Sequence, residues 1–224
     1  MTSKVCTFLL LILICSCKSE KKEAEESESI TPLIASMKEE RFNVKQGNAD
    51  SISLGSYILR TYDSTGVETK SVYYRTDNSI MMQFMYSYEE GNKTGIQWVN
   101  AEDKVVRTVK NQFDENGKLI KSETYNADGE FREGYVHTWK ENGTVEEKAP
   151  LVDGQPIKAN AIYFYHPNND LKMLHEFDDN DSLYYILKYK YTAKDDNGNW
   201  TERQFIANDT LRRIERRTIS YKVN

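Results

Sequence analysis

The residues of this sequence that could bind a metal ion are its three histidines and two acidic turns. His137 and His175 fall within predicted strands and His166 lies beside a proline, and no two have the His-x-His spacing that places ligands on one strand face. The Asp- and Asn-rich turns at residues 178–181 and 195–199 lack the loop length and terminal Glu of an EF-hand. Because Asp and Asn also stabilise ordinary turns, we expect no metal site and no cofactor.

Recognisable catalytic motifs are absent from the sequence. It contains no Gly-x-Ser-x-Gly, no P-loop and no His-Glu-x-x-His. No Asp or Glu is flanked by apolar residues in a way that would raise its pKa, as the general acid of a glycosidase requires. The sequence therefore favours a protein that is not an enzyme. A glycan-active enzyme with dispersed carboxylates remains the alternative.

Aromatic side chains are the most numerous candidates for ligand contact. Fifteen tyrosines accompany Trp98, Trp139 and Trp200, whose indole rings could stack on a sugar. Tyr is also common in strands that have one buried face and one face in contact with solvent. Cross-strand packing therefore explains the presence of most of these rings. We retain the three tryptophans as candidate ligand contacts.

The charge of the chain is mixed, which argues against nucleic acid as a partner. Thirty Lys and Arg residues stand against 35 Asp and Glu, for a net charge of −5, whereas nucleic-acid binders present a basic face. A basic cluster near the end of the chain is the exception; it comprises Arg212, Arg213, Arg216, Arg217 and Lys222. It is either a charged strand face that prevents edge-to-edge pairing or a contact for an anion or lipid headgroup.

All three cysteines lie within the first seventeen residues, in a targeting segment. Lys4 precedes a run of ten residues, 5–14, that is apolar except for Thr7, a length typical of a signal peptide and too short to span a bilayer. The four residues that end at Cys17 (Ile-Cys-Ser-Cys) resemble the lipobox of bacterial lipoproteins. The resemblance implies cleavage before Cys17 and acylation of that residue. Cys15 suits the pattern less well, because a bulky isoleucine would occupy its cleavage position.

This leader divides the chain into three parts. Residues 1–16 are predicted to be a lipoprotein signal peptide, 17–30 an acidic and basic tether, and 31–224 a β-repeat domain. The tether is too polar to fold on its own. We therefore expect a lipid-anchored protein of the cell envelope, located at the outer membrane, with the leaflet left open.

The rest of the chain repeats an aromatic residue followed by a turn about every 26 residues. The aromatic residues are Tyr62, Tyr88, Phe113, Trp139, Tyr165 and Tyr191, and a Gly follows most of them after three or four positions. Asn169 takes the place of Gly in one copy, as the residue that best tolerates positive φ. A second set of turns lies halfway between, so each repeat is one hairpin.

This turn spacing predicts an all-β fold, an antiparallel β-meander of about 12–14 strands in 26-residue hairpin repeats. Because only 38% of the residues are hydrophobic, we expect a curved open sheet, with a barrel or two stacked sheets as the alternatives. A short helix is predicted from residue 31 to about Glu40, with Pro32 at its first position. The series is least regular at residues 149–157 and at an enlarged turn over 192–199, where a site would be sought.

The repeat, in copies such as Tyr-Asp-Ser-Thr-Gly at residues 62–66 and Phe-Asp-Glu-Asn-Gly at 113–117, resembles the YD repeat of Rhs-type proteins and the MORN-like antitoxin repeats. The end of the chain, over residues 196–221, resembles uncharacterised lipoproteins of the Bacteroidetes. These resemblances imply hairpins in series that scaffold or bind, without catalytic residues. The implied partner is a polysaccharide, a peptide or another envelope protein. An immunity-like or chaperone-like role, in which exposed strand edges capture a polypeptide, is the alternative.

The lipobox predicts that Cys17→Ala abolishes acylation and moves the protein from the membrane to the soluble fraction. The physical reason is that the acyl chains at this one thiol supply the membrane affinity. Metabolic labelling with a fatty acid, followed by fractionation, measures both effects, and Cys15→Ala is the matched control. Continued acylation of the Cys17→Ala protein would show that the lipobox assignment is wrong.

Overall fold

The computed structural model describes residues 32–45 and 47–222, most of which belong to one antiparallel β-sheet. Among the described residues, the only helical element is a single 3₁₀ turn at Glu141–Gly143. The strands are β1 (Ile34–Val44), β2 (Ile52–Tyr62), β3 (Glu68–Arg75), β4 (Ile80–Glu89), β5 (Asn92–Val99), β6 (Val105–Phe113), β7 (Leu119–Asn126), β8 (Phe131–Lys140), β9 (Val145–Val152), β10 (Gln155–Pro156), β11 (Ala161–Tyr165), β12 (Leu171–Phe177), β13 (Leu183–Lys194), β14 (Trp200–Ala207) and β15 (Thr210–Tyr221).

Fourteen of these strands close into a barrel. Each strand pairs with the next along the chain, β9 pairs with β11, and β15 returns to pair with β1. The two-residue β10 extends a hairpin from β9 and lies outside the ring. The predicted antiparallel hairpins are confirmed, but the predicted open sheet is wrong and the barrel alternative is right. Closure satisfies the hydrogen-bonding groups that an open sheet leaves unpaired at its two edges.

Two predictions near the chain ends are also wrong because of this closure. The segment predicted to be a helix through Glu40 is β1, whose residues pair with β15 on one side and β2 on the other. Pairing on both sides stabilises an extended backbone more than Pro32 favours a helix start. β15 is likewise no edge strand, so its basic residues do not protect an edge.

The repeated turns are held by an Asp or Asn at their first position. Asp114 Oδ1 accepts the backbone N–H groups of Asn116 at 2.9 Å and Lys118 at 2.8 Å. Gly117 adopts a φ of 72°, and Asn169 takes the same role with a φ of 63°, as its identity predicts. Asp and Asn carboxylate or amide oxygens repeat the Asp114 pattern in five other turns, at Asp63, Asn100, Asn126, Asp178 and Asp195.

Of the two irregular segments, only 149–157 departs from the hairpin series, because the chain leaves the ring there to form β10. β13 extends to Lys194, with register shifts after Tyr191, and the turn that follows has the ordinary five residues, 195–199. The turn at residues 192–199 is therefore not enlarged. In the segment 149–157, Asp153 and Gly154 have φ values of 49° and 76° and form a tight two-residue hairpin.

Three aromatic residues of the repeat close the open ends of their hairpins. A ring N–H or O–H near the end of one strand donates to the first carbonyl of the strand beside it, at 2.7–2.8 Å. These bonds run from Tyr88 to Glu68 O, from Trp139 to Leu119 O and from Tyr191 to Leu171 O. These three aromatic residues therefore hold the end of their hairpin that lies opposite its turn.

Most buried side chains lie on one face of the sheet, which we call the inner face and define as the face that carries Glu39 and Glu215. A small apolar cluster of Ala161, Leu174 and Leu187 belongs to it. Most other inner side chains are only half-buried, so the barrel is not filled by a continuous apolar core. No helix within the described part of the chain is long and apolar enough to cross a membrane.

We predict that Asp114→Ala lowers the free energy of unfolding by about 1–2 kcal/mol, because two backbone N–H groups lose their acceptor. Urea denaturation measures the change. Glu115→Ala, an exposed substitution in the same turn, is the control and should shift stability by less than about 0.5 kcal/mol. Equal effects of the two substitutions would show that the Asp114 side chain does not stabilise the turn.

Candidate functional site

The most highly charged part of the inner face is centred on Glu39 of β1. This carboxylate is fully buried and lies among three arginines. Arg217 Nη2 is 3.0 Å from Oε2 and Arg41 Nη2 is 3.2 Å from Oε1, while Arg60 Nη2 lies 3.6 Å from Oε2. The side chain of Glu39 is therefore enclosed by positive charge from its own strand and both neighbouring strands.

A second buried carboxylate, Glu215 of β15, repeats the arrangement. Arg203 Nε lies 2.6 Å from its Oε2, and Arg213 Nε lies 2.9 Å from Oε1 but outside hydrogen-bond alignment. Arg41 also reaches Glu215, at 3.5 Å, and so connects the two carboxylates. We call these two glutamates and five arginines the arginine cluster.

The pairing of β1 with β15 brings these residues together. Glu39 lies directly across from Arg217, and Arg41 directly across from Glu215. Residues of one strand that are two apart share a face, so charges of alternating sign meet opposite charges on the partner strand. The signal was present in the sequence as Glu-x-Arg at 39–41 and Arg-x-Glu-x-Arg at 213–217. It was missed because the two motifs lie at opposite ends of the chain.

Glu39 remains ionised in this environment. Burial by itself raises the pKa of its carboxyl, but Arg217, Arg60 and Arg41 outweigh burial and hold the pKa below its usual value. A carboxylate with a lowered pKa cannot serve as the general acid of a glycosidase. The arginine cluster is therefore suited to electrostatic recognition, not to proton donation.

Positive charge exceeds negative charge in the cluster. The five guanidinium groups contact two buried carboxylates and a third, Glu68, which lies 2.9 Å from Arg60 Nη1. The five arginine side chains are between 16% and 28% exposed, so each is accessible to a molecule on the inner face. Arg60 Nε is buried and makes no hydrogen bond with any described residue.

The three candidate tryptophans all lie on the inner face but in separate strands. Trp200 of β14 is only 5% exposed, since Arg217 covers its ring at 3.4 Å and Arg203 lies 4.2 Å from the ring centroid. Trp98 of β5 packs against Phe84 and Arg107, and Trp139 of β8 packs against Tyr165 and Lys118. The structure does not bring them together into one stacking surface.

A groove of about 450 Å³ borders the arginine cluster, within the size range of ligand sites. Tyr189 and Tyr191 line it, and Arg203 stacks on Tyr189 at 4.6 Å. Its remaining lining residues are His166, Asn168, Asp170, Lys190 and Lys194. The groove thus places two aromatic rings beside the arginine cluster.

The histidines are not brought together. His137 lies on β8, His166 begins a turn and His175 lies on β12. Among residues 32–45 and 47–222, no three His, Cys, Asp or Glu side chains lie close enough to hold a metal ion. The proposed lipid attachment at Cys17, like the signal peptide and tether, lies outside the described residues.

No protein-family model and no curated protein matches the sequence. Several solved structures are similar to the chain in fold. A porin-like protein from Bacteroides uniformis is 12% identical, with a TM-score of 0.51, over 84% of this chain and 96% of that one. An outer-membrane lipoprotein-sorting protein domain from Vibrio parahaemolyticus is 10% identical, with a TM-score of 0.38, over 85% of this chain and 87% of that one. At these identities the likeness concerns the fold alone.

Removing the charge of Glu39 is predicted to destabilise the barrel strongly. Glu39→Gln should lower the free energy of unfolding by about 3–5 kcal/mol, because three arginines lose a buried partner. Glu40→Gln, on the outer face beside the exposed Lys38, should cost less than about 1 kcal/mol. Urea denaturation of both variants measures the difference, and similar losses would contradict a structural role for the cluster.

Because the carboxylate of Glu39 is buried and ionised, we expect the stability of the fold to depend on pH. The pKa of Glu39 is lower in the folded state, so its stabilisation is complete above the unfolded pKa and is lost as pH falls through the folded pKa. Unfolding free energies measured at decreasing pH should therefore fall in the acid range. The fall should be shallower for Glu39→Gln, and parallel curves would contradict the assignment.

Proposed function

We propose that this chain is a lipid-anchored protein of the cell envelope whose barrel binds an anionic ligand on its inner face. The observation that carries the binding proposal is the surplus of guanidinium groups over carboxylates in the arginine cluster. The anchor proposal rests on the signal-peptide pattern and on the resemblance of the segment ending at Cys17 to a lipobox.

The arginines have the chemistry to bind an anion. A guanidinium group presents a planar set of N–H donors that matches carboxylate, sulfate and phosphate oxygens. The cluster retains partial exposure, and the Nε groups of Arg60 and Arg213 make no hydrogen bond with a described residue. Glu39 and Glu215 already hold the arginine side chains in position for such a ligand.

The adjoining groove favours a sugar as the body of this ligand. Tyr189 and Tyr191 offer ring surfaces, and Lys194 adds a positive charge to the lining of the groove. Aromatic rings beside cations suit an acidic polysaccharide, whose sugar rings can stack while their carboxylates meet Arg or Lys. A peptide or another envelope protein is less favoured because the charge lies on the inner face of a closed ring.

Other proposed roles receive less support. The ring leaves no long free strand edge in the described residues, so capture of a polypeptide by strand addition is not favoured. An enzyme that acts on glycans is not favoured at the arginine cluster, where arginines hold both buried carboxylates. The negative net charge and inward arginines do not suit nucleic acid.

The charges on the outer face of the barrel favour attachment to the membrane through a lipid anchor over insertion of the barrel into the bilayer. It carries ion pairs between Lys121 and Glu123 at 2.9 Å and between Arg216 and Glu202 at 2.9 Å. A charged side chain on a lipid-facing strand costs about 2–4 kcal/mol at the bilayer midplane. We therefore infer that the membrane contact is the lipid at Cys17.

The proposal predicts salt-sensitive binding of an acidic oligosaccharide. The purified full-length protein is titrated with tetragalacturonate, and binding is monitored by tryptophan fluorescence. The affinity should fall as the salt concentration is raised. Maltotetraose, which is neutral, should bind far less. Arg213→Gln should weaken binding about tenfold through loss of one charge-assisted contact.

Arg212→Gln is the matched control, because Arg212 is the adjacent residue and is exposed on the outer face. Its binding curve should match that of the unaltered protein. Equal binding of the acidic and neutral oligosaccharides, or equal effects of the two substitutions, would contradict an anion site on the inner face.

A further inference from the structure

A second polar cluster lies on the inner face of β7, β8, β9 and β11. Ser122 Oγ is 3.0 Å from His137 Nε2, and His137 Nδ1 is 2.5 Å from Glu146 Oε1. Tyr165 Oη donates to the other oxygen of the same carboxylate, Oε2, at 2.5 Å. The four side chains thus form one continuous chain of hydrogen bonds that ends at a serine hydroxyl.

The strand register produces this chain. Ser122 lies across from Tyr135, two residues before His137 on the same face of β8. His137 lies across from Lys148, two residues after Glu146 on β9. Each contact is therefore a diagonal cross-strand pair, which needs no unusual backbone. β8 is the seventh strand from β1 in either direction, so this cluster is separate from the arginine cluster.

The carboxylate of Glu146 is held in its ionised form. Burial by itself raises its pKa, but the hydrogen bonds from His137 and Tyr165 outweigh burial and hold the pKa below its usual value. An ionised carboxylate beside Nδ1 retains the imidazole proton on that nitrogen. The lone pair of Nε2 is then directed at the hydroxyl of Ser122.

We propose that Ser122, His137 and Glu146 are a catalytic triad that hydrolyses carboxylic esters, with Tyr165 as a positioning residue for Glu146. The arrangement is that of a nucleophile, its general base and the group that orients the base. This activity goes beyond the proposed binding of an anion and does not depend on it. It also departs from the expectation, drawn from the sequence, that the chain is not an enzyme.

A purely structural network explains less of the geometry. Buried polar groups are normally hydrogen-bonded, and His137 and Glu146 are 7% and 6% exposed. Ser122 is half-buried and therefore more open than either, and its hydroxyl, at one end of the chain of bonds, is assigned as the nucleophile. Ser71 provides the contrast, since it is fully buried and bonds to the hydroxyl of Tyr86 at 2.7 Å.

The neighbouring strand offers a donor for the oxyanion. Asn111 of β6 lies directly across from Ser122. Its Nδ2 donates to Lys93 O at 2.9 Å, and an amide group has a second hydrogen to donate. A side-chain amide can stabilise the charge that develops on an ester oxygen during acyl transfer.

The reaction balances with water as the second substrate. Ser122 Oγ forms a bond to the ester carbonyl carbon while its proton moves to His137 Nε2. Collapse of the tetrahedral intermediate breaks the bond to the alcohol, which leaves with that proton. Water then attacks the acyl-serine and gives a proton to His137, which returns it to Ser122 Oγ as the carboxylic acid departs.

Labelling of the full-length protein with a fluorophosphonate tests the nucleophile. We expect one label, located at Ser122 by mass spectrometry and absent from Ser122→Ala. Ser71→Ala, the matched control, should label as the unaltered protein does. Glu146→Gln should slow the labelling by about a hundredfold or more, because the imidazole loses the charge that orients and polarises it. Tyr165→Phe should lower kcat several-fold for p-nitrophenyl acetate while KM stays unchanged.

Two outcomes would overturn the proposal. They are no labelling of the folded protein, and labelling or hydrolysis that persists unchanged in Ser122→Ala. Ser122→Cys guards against a variant that fails to fold, because Cys retains the size of the side chain. Its thiol should react with iodoacetamide faster than the same thiol in Ser122→Cys combined with Glu146→Gln, and equal rates would also overturn the triad.

Discussion

The pairing of the first strand with the last is the interaction on which the rest of the barrel depends. The hairpins from β1 to β15 are local, and each could form in an open sheet. Only the contact between β1 and β15 converts that series into a ring. At this seam Glu39 meets Arg217 and Arg41 meets Glu215, so closure is secured by buried opposite charges as well as by the backbone ladder.

The seam also explains why so much charge is found on an inner face. Burial of a carboxylate is costly unless it is paired and hydrogen-bonded. Two buried glutamates therefore require arginines around them, and the two strands together supply more arginines than the glutamates neutralise. The surplus that supports anion binding is thus a by-product of how the ring is closed. Structure and proposed function share the same side chains.

The sequence predicted the local structure well and the long-range structure poorly. Asp114 and Asn169 act within five-residue turns, so their types alone determine what the backbone does there. The helix predicted at the start of β1 does not form, because this segment pairs with β2 and with β15, which lies far away in the chain. The arginine cluster was not predicted for the same reason. Glu39 and Arg217 lie so far apart in the chain that no short window of sequence contains both.

The second cluster was hidden for a related reason. Ser122, His137 and Glu146 come from three consecutive strands, and their spacing of 15 and 9 residues has no motif value by itself. It acquires meaning only when the register is known, since a slip of one residue would turn a side chain to the opposite face. Hairpin length therefore determines whether the three residues meet. The two clusters stand on opposite sides of one ring and share no residue.

The seam has a consequence for how the molecule is made. Arg217 and Glu39 lie 178 residues apart, the longest separation of any side-chain hydrogen bond described here. Contacts of such long range form slowly, because the intervening chain must be ordered first. During synthesis, β1 therefore keeps an unpaired edge until β15 has been made. Loss of β15 would leave that edge permanently open, and such an edge invites association between molecules.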